Sequence, residues 1–266
     1  MWVQYIVYSP SSQQKTIYNN INAEGCSIRC KLYSNEREEV RKLILFGHGF
    51  GGHKDNKAAE RFAKRVLEKN KNIAIMTFNW PCHGDDVRKK LRLEDCDTYI
   101  RLILAWVNEQ FAAPELYVYA TSFGGYLFLK YISEAGMPFV KMAFRCPAVN
   151  MYEVIQNAIM TDDNWKLINK GKSALVGFDR KIEIDKIFLD SLREADITKW
   201  NYLEQADQLL ILQGTKDEIV RFEAVKAFAE ENVIEFEPIE GADHRFMNQK
   251  KMDLAISLII TFLELK

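Results

Sequence analysis

From Leu43 onward the chain alternates short, wholly apolar runs with stretches whose apolar residues recur every third or fourth position. The runs read "LILFG", "IAIMTF", "LYVYA", "VKMAF" and "LLILQG". An apolar run with no polar alternation predicts a strand buried on both faces, as in a parallel sheet. Between the runs, Asn56–Glu68 places Ala59, Phe62, Ala63, Val66 and Leu67 on one helical face. Similar spacing predicts helices over Cys96–Phe111, Phe123–Ser133, Glu223–Glu230 and Lys251–Leu265. The first part of the chain differs. Val3–Tyr8, Thr16–Ile21 and Ser27–Tyr33 alternate in character, the mark of half-exposed antiparallel strands. Together these patterns predict an α/β fold: a mostly parallel sheet with helices on both faces.

One segment breaks the rhythm. Between Pro147 and Gln205 no strand of the central type occurs, only short helical patterns (Tyr152–Met160, Lys186–Arg193) and a hairpin-like "SALVGFDRKIEID". It is far too long for an ordinary connection between core elements. The expected division is a core of residues 1–146 and 206–266, with 147–205 folded over the sheet's carboxyl edge as a cap or lid.

Charge narrows the choice of partners. Lys and Arg (36) nearly balance Asp and Glu (37) among 266 residues, which argues against a nucleic-acid or anionic-membrane partner. Five cysteines form no CxxC pair and no disulfide framework, and the odd count suits a reducing compartment. "MWVQYIVYSP" lacks the basic region and apolar core of a leader, and no run approaches the ~18 apolar residues of a membrane helix. The expectation is a cytoplasmic protein, monomeric or homodimeric. The histidines at 48, 53 and 83 have no clustered metal-ligand spacing, so no metal and no organic cofactor is expected.

The candidate chemistry lies in "LYVYATSFGGYLFLKY". A strand ends, Ser122 stands at the turn, and a helix begins, so the hydroxyl points away from the sheet toward a helix N-terminus. The pentapeptide reads A-T-S-F-G where G-x-S-x-G is the usual elbow. Serine needs a base, and the base needs an orienting acid. His244 in "EGADHRF" and Asp217 in "LQGTKDEIV" each follow a predicted strand, so all three can meet at one sheet edge. The glycine-rich "HGFGG" after the first central strand can turn backbone amides toward the same point. Phe50 and Phe123 are the expected oxyanion donors through their N–H groups.

With these motifs in order, the chain resembles the α/β-hydrolase superfamily over essentially its whole length. "HGFGGHK", "NWPCHGDD" and the inserted segment are similar to cinnamoyl (feruloyl) esterases and monoacylglycerol-lipase-like hydrolases. The resemblance implies Ser122 as nucleophile, His244 as base and Asp217 as its partner. It also implies an eight-stranded sheet with one antiparallel strand near the start and an insertion after the sixth strand. The chain departs from the family's habits at Ala120, Thr121 and Phe123, and in the loop Asn79–Gly84. The expected substrate is a small to medium, apolar or aromatic ester cleaved through an acyl-enzyme. Thioesterase, acyltransferase or carbon–carbon bond hydrolase activity uses the same three residues, and a non-catalytic ligand-binding homologue is the alternative of another class. Trp80, Tyr152, Trp165, Phe178 and Phe188 are candidate pocket walls, and Asp179-Arg180 at the hairpin tip is a candidate polar contact.

Overall fold

The computed structural model describes residues 5–8, 14–35, 39–178 and 180–265. In chain order the elements begin with β1 (Tyr5–Tyr8), β2 (Gln14–Ala23), β3 (Cys26–Asn35), β4 (Lys42–Gly47), α1 (Lys57–Leu67) and β5 (Ile73–Phe78). Next come α2 (Leu93–Gln110), β6 (Glu115–Thr121), α3 (Phe123–Ala135) and β7 (Lys141–Arg145). The inserted segment supplies α4 (Met151–Val154), α5 (Asp162–Asn169), β8 (Ala174–Val176), β9 (Ile182–Ile184) and α6 (Lys186–Glu194). The chain ends with β10 (Leu209–Gly214), α7 (Phe222–Glu231), β11 (Glu235–Ile239) and α8 (Gln249–Phe262). Val3, expected to open the first strand, and Asp179 lie outside the described residues.

The large sheet runs β1-β2-β3-β5-β4-β6-β7-β10-β11. Its last eight strands are the expected mostly parallel sheet, and β1 is an added edge strand. From β5 to β11 every pairing is parallel. Because β3 pairs antiparallel with both β2 and β5, it alone among those eight runs against the rest. The apolar runs are buried along nearly their full length: β5 is buried at every position, as is β10. Burial on both faces follows from two separate apolar layers. One face packs under α1 and α8, with Phe62, Val66, Ile256 and Ile259 against Ile44, Ile75 and Leu212. The other packs under α2, α3 and α7, with Ile103, Leu127 and Phe228 against Leu45, Met76 and Ile211.

Local chemistry sets the element ends. Asn56 accepts from the Ala58 and Ala59 amides and starts α1, and Asn248 does the same for α8. Helix α5 has no counterpart in the apolar pattern of the sequence, because it buries only Ile168. A reciprocal cap between Thr161 and Asn164 starts it instead. The expected helix over Tyr152–Met160 is the α turn α4, widening into a π turn over Ile155–Ile159.

The inserted segment is not a free-standing unit. Val176, Ile182, Ile184, Phe188, Leu189 and Leu192 belong to the same apolar layer as α2 and α3. Arg92, just before α2, makes a two-pronged ion pair with Asp185 at 3.0 and 2.7 Å. Asp185 also caps α6 by accepting from the Phe188 amide. The hairpin β8–β9 is thus held at its base, and its tip reaches the glycine loop after β4. A Cβ added to Gly51 would lie 3.4 Å from the Arg180 carbonyl oxygen.

Candidate active site

The carboxyl ends of β4, β6, β7, β10 and β11 and the loops that follow them meet at one edge of the sheet. Open α/β sheets collect their ligands there. Ser122 stands between β6 and α3 with φ 51° and ψ −117°, a left-handed conformation that is strained for any residue with a side chain. Such strain, of order 1–3 kcal/mol, persists only when surrounding contacts impose it. Those contacts are specific. The Ser122 amide donates to the Arg145 carbonyl at 3.2 Å, and the Ser122 carbonyl accepts from Tyr126 and Ala148. A Cβ at Gly124 would sit 2.6 Å from the Gly47 carbonyl oxygen, so only glycine lets α3 start this close to β4. Ala120, where glycine is usual, is tolerated for a neighbouring reason: it lies opposite Gly47 in register. A Cβ at Gly47 would lie 2.8 Å from the Phe128 ring and 3.2 Å from the Ala120 methyl, so the glycine at 47 leaves room for that methyl.

The three expected side chains meet here. His244 Nε2 lies 3.0 Å from Ser122 Oγ, and His244 Nδ1 lies 2.8 Å from Asp217 Oδ2. Asp217 has no exposed side-chain surface, whereas the His244 side chain keeps 13%. The carboxylate is held from all sides: the Ile219 and Val220 amides donate to Oδ1 at 2.9 and 2.8 Å, and Gln213 Nε2 donates to Oδ2 at 2.9 Å. Burial by itself would raise the Asp217 carboxyl. The hydrogen bond and charge of His244, with the two amides, outweigh it and hold the group below the usual carboxylate range. The acid therefore stays ionised and fixes Nδ1 as the protonated ring nitrogen, which leaves Nε2 free to accept from Ser122.

The glycine loop lies against the serine, since a Cβ at Gly49 would be 3.1 Å from Ser122 Cβ. Among the described residues, neither the Phe50 nor the Phe123 amide has a hydrogen-bond acceptor. Their rings pack edge to face with centroids 5.6 Å apart. Beneath the loop His48 is buried. Its Nδ1–H donates to the Gly49 carbonyl at 2.8 Å, and Nε2 faces the Trp80 amide at 3.4 Å. Burial, with His83 nearby, pushes the His48 pKa well below that of a free imidazole. His48 thus acts as a neutral brace of the loop.

Several expected pocket walls lie elsewhere. Trp80 has no exposed surface; its Nε1–H donates to the His48 carbonyl at 2.9 Å and its ring packs on Phe78 and Phe128. It supports the loop from below and does not line the cleft. Phe188 is buried in the layer under α6. Trp165 packs half-buried on that same layer. Tyr152 faces a separate cavity of about 570 Å³ that shares no lining residue with the Ser122 cleft. Its ring carries the Arg193 guanidinium at 4.4 Å. Sequence periodicity identifies an aromatic residue but not the side of a short helix it leaves from. Phe178 alone of these lines the Ser122 cleft.

That cleft measures about 1410 Å³ and takes in Ser122, His244, Phe50, Phe178, Ile219 and Phe246. Its lining is not uniformly apolar. Arg145, at the end of β7, also lines it. Nothing in "VKMAFRCPAV" sets that residue apart, since the short strand carries a cation at each end, Lys141 and Arg145. Cys146, Asp217 and His244 bring potential ligand atoms within 4.8 Å of one another. However, burial pushes the Cys146 thiol far up, and a neutral thiol is a poor ligand. Asp217 and His244 already satisfy each other.

A family model matches residues 26–163, under the description "Alpha/beta hydrolase of unknown function (DUF900)". The chain belongs to this α/β-hydrolase family. No curated protein sequence matches it significantly. Solved structures do. Ferulic-acid-bound Est1E from Butyrivibrio proteoclasticus superposes with a TM-score of 0.74 at 18% identity, covering 92% of this chain and 97% of that one. The esterase domain of a Rhodothermus marinus protein gives 0.66 at 19%, covering 94% and 98%. An α/β serine hydrolase homologue from Coxiella burnetii gives 0.58 at 16%, covering 97% and 96%. At such identities these likenesses establish the α/β-hydrolase fold. Among the described residues, no helix is long and apolar enough to cross a membrane.

Proposed function

We propose that this α/β hydrolase is a serine esterase that works through an acyl-enzyme. The observation that carries the reading is the unbroken relay of 3.0 and 2.8 Å from Ser122 through His244 to Asp217. In the first half-reaction His244 Nε2 takes the Ser122 proton as Oγ attacks the ester carbonyl. Asp217 stabilises the imidazolium that results. The carbonyl oxygen, now carrying the negative charge, is met by the unengaged Phe50 and Phe123 amides. As the tetrahedral intermediate collapses, the C–O bond to the alcohol breaks and His244 returns the proton to the leaving oxygen. In the second half-reaction water is deprotonated by His244, attacks the acyl carbon and releases the acid and Ser122.

The acyl or alcohol group is of small to medium size, apolar or aromatic. Phe178, Ile219 and Phe246 in the cleft support this, as does the ferulic acid held by a structure of the same fold. The segment 147–205 serves as a cap, contributing Ile159, Phe178, Arg180 and Lys181 to the cleft. All five cysteines are free thiols, which fits a reducing, cytoplasmic setting.

Labelling with a fluorophosphonate probe, followed by peptide mass spectrometry, tests the reading. The adduct belongs on Ser122, and Ser122→Ala should lower kcat on 4-nitrophenyl esters by about 10⁴–10⁶. Near-normal turnover by that variant would remove the assignment. A panel that adds methyl ferulate, a monoacylglycerol and a thioester then ranks the substrate classes.

A further inference from the structure

Among the described residues the Ser122 cleft is lined by Lys57, Arg61, Arg145, Arg180 and Lys181, against a single carboxylate, Glu218. Across the whole chain, cations and anions are nearly equal. Asp217 does not redress this, because its side chain is fully covered behind His244. Arg61 is neutralised by Asp253 at 2.7 Å, and the Lys181 ammonium is turned onto the Gly177 carbonyl.

Arg145 is the informative one. It is 7% exposed, and its Nε is buried with no hydrogen-bond partner. The guanidinium lies 4.9 Å from the Phe246 ring centre, and Nη1 reaches only the His244 carbonyl at 3.5 Å, a long contact. Among the described residues no carboxylate lies within ion-pair distance of it. A charge taken this far out of water without a counter-ion is costly. Arginine is always ionised, so it cannot escape by losing its proton. Across the cleft, Arg180 at the hairpin tip is exposed and also has no carboxylate partner among the described residues. We infer that the cleft binds an ester carrying a separate anionic group, a carboxylate or phosphate, seated on Arg145 with Arg180 closing over it. This inference deepens the esterase reading and rests on it for the reaction, though not for the binding.

The bland role for Arg145 is to position the His244 loop through the carbonyl contact, which would affect every substrate alike. The test therefore measures a ratio. Mono-4-nitrophenyl glutarate is compared with 4-nitrophenyl valerate, placing a carboxylate on the acyl side. Next, 4-carboxyphenyl butyrate is compared with phenyl butyrate, placing it on the alcohol side. In at least one pair the anionic ester should have the higher kcat/KM by about tenfold or more, the scale of one charge-assisted hydrogen bond. Arg145→Gln should erase most of that ratio and Arg180→Gln a smaller part. Ratios near one in the native enzyme, or unchanged in Arg145→Gln, would overturn the inference. A second arm needs no turnover. In the Ser122→Ala protein, glutarate or inorganic phosphate should raise Tm more than sodium chloride of equal ionic strength, and whichever raises it further identifies the preferred anion. The double variant with Arg145→Gln should lose that rise, and a rise no larger than that of sodium chloride counts against an anion site. Should Arg145→Gln fail to fold, Arg180→Gln decides on both readouts. Equal hydrolysis of both esters in each pair sinks only the anion site. Absence of hydrolysis and of fluorophosphonate labelling sinks the esterase, while the Tm arm still decides whether the anion binds.

Discussion

His244 and the His48–His83 pair place the same ring in two opposite environments near one cleft. His244 keeps a small exposed edge, with a carboxylate on one nitrogen and a hydroxyl on the other. His48 and His83 are buried, their rings 5.3 Å apart, and their Nδ1–H groups donate to the Gly49 and Pro81 carbonyls. His83 Nε2 has no hydrogen-bond partner among the described residues. A ring between a fixed anion and a proton donor can accept a proton and be stabilised for it. A ring sealed in apolar surroundings is held neutral and can only brace its neighbours. The difference lies in the loops around the rings. His244 follows β11 at the open sheet edge, and His48 lies beneath the turn it supports.

The sharpest way to break this contrast is to remove the exposed ring. His244→Ala should lower kcat by about 10⁴–10⁶ while circular dichroism reports a retained fold. Asp217→Asn should cost about 10⁴ in kcat, because the amide no longer enforces the Nδ1-protonated ring. Glu218→Gln is the control: among the described residues Glu218 accepts only the His244 backbone N–H, at 3.3 Å, so its loss should change kcat by no more than a few-fold. If Glu218→Gln proved the more damaging of the two, the acid would have to be reassigned.

The positions of these residues could be read in the sequence because each rests on a local signal. Ser122 sits in a small-residue turn between an apolar run and a helical pattern, and Asp217 and His244 each follow an apolar run. Strand ends in a parallel sheet converge by topology, so order along the chain stands in for distance. The pocket walls are a different matter. Whether Trp80 faces the cleft or the core depends on Phe78, Phe128 and His48, which approach from three separate elements. Whether Tyr152 faces Ser122 or a second cavity depends on how α4 widens into its π turn. Arg145 carries no such local signal: what sets it apart is that, among the described residues, no carboxylate from the surrounding loops pairs with it, and no single stretch of sequence shows that.

Trp80 sharpens the contrast from the buried side. Its indole N–H holds the His48 carbonyl and its ring fills the space between Phe78 and Phe128. Trp80→Ala should therefore cost about 3–5 kcal/mol in urea unfolding, the range for emptying a large aromatic site. A pocket wall would behave otherwise, with KM rising on aromatic esters and stability hardly moving. That second pattern would return Trp80 to the substrate.

The smallest expected effect concerns pH. Burial pulls the His83 pKa down from 6.5 to about 4, against the opposing pull of its bond to Pro81. In the unfolded chain the ring gains a proton once pH falls below 6.5, whereas the folded chain must wait until about 4. Between those values the unfolded state binds more protons, so stability falls with acid through that window. Integrated over it, the loss is on the order of 3 kcal/mol. Burial of His48 acts in the same direction. Asp217 adds its own loss at lower pH, because its depressed carboxyl stabilises the fold only while ionised. In His83→Gln the stability curve between pH 6.5 and 4 should be flatter by His83's share, with the Asp217 limb below it kept. Parallel curves for the two proteins would mean that His83 reaches water, and the distinction between a titrating and a sealed histidine would then rest on His48 alone.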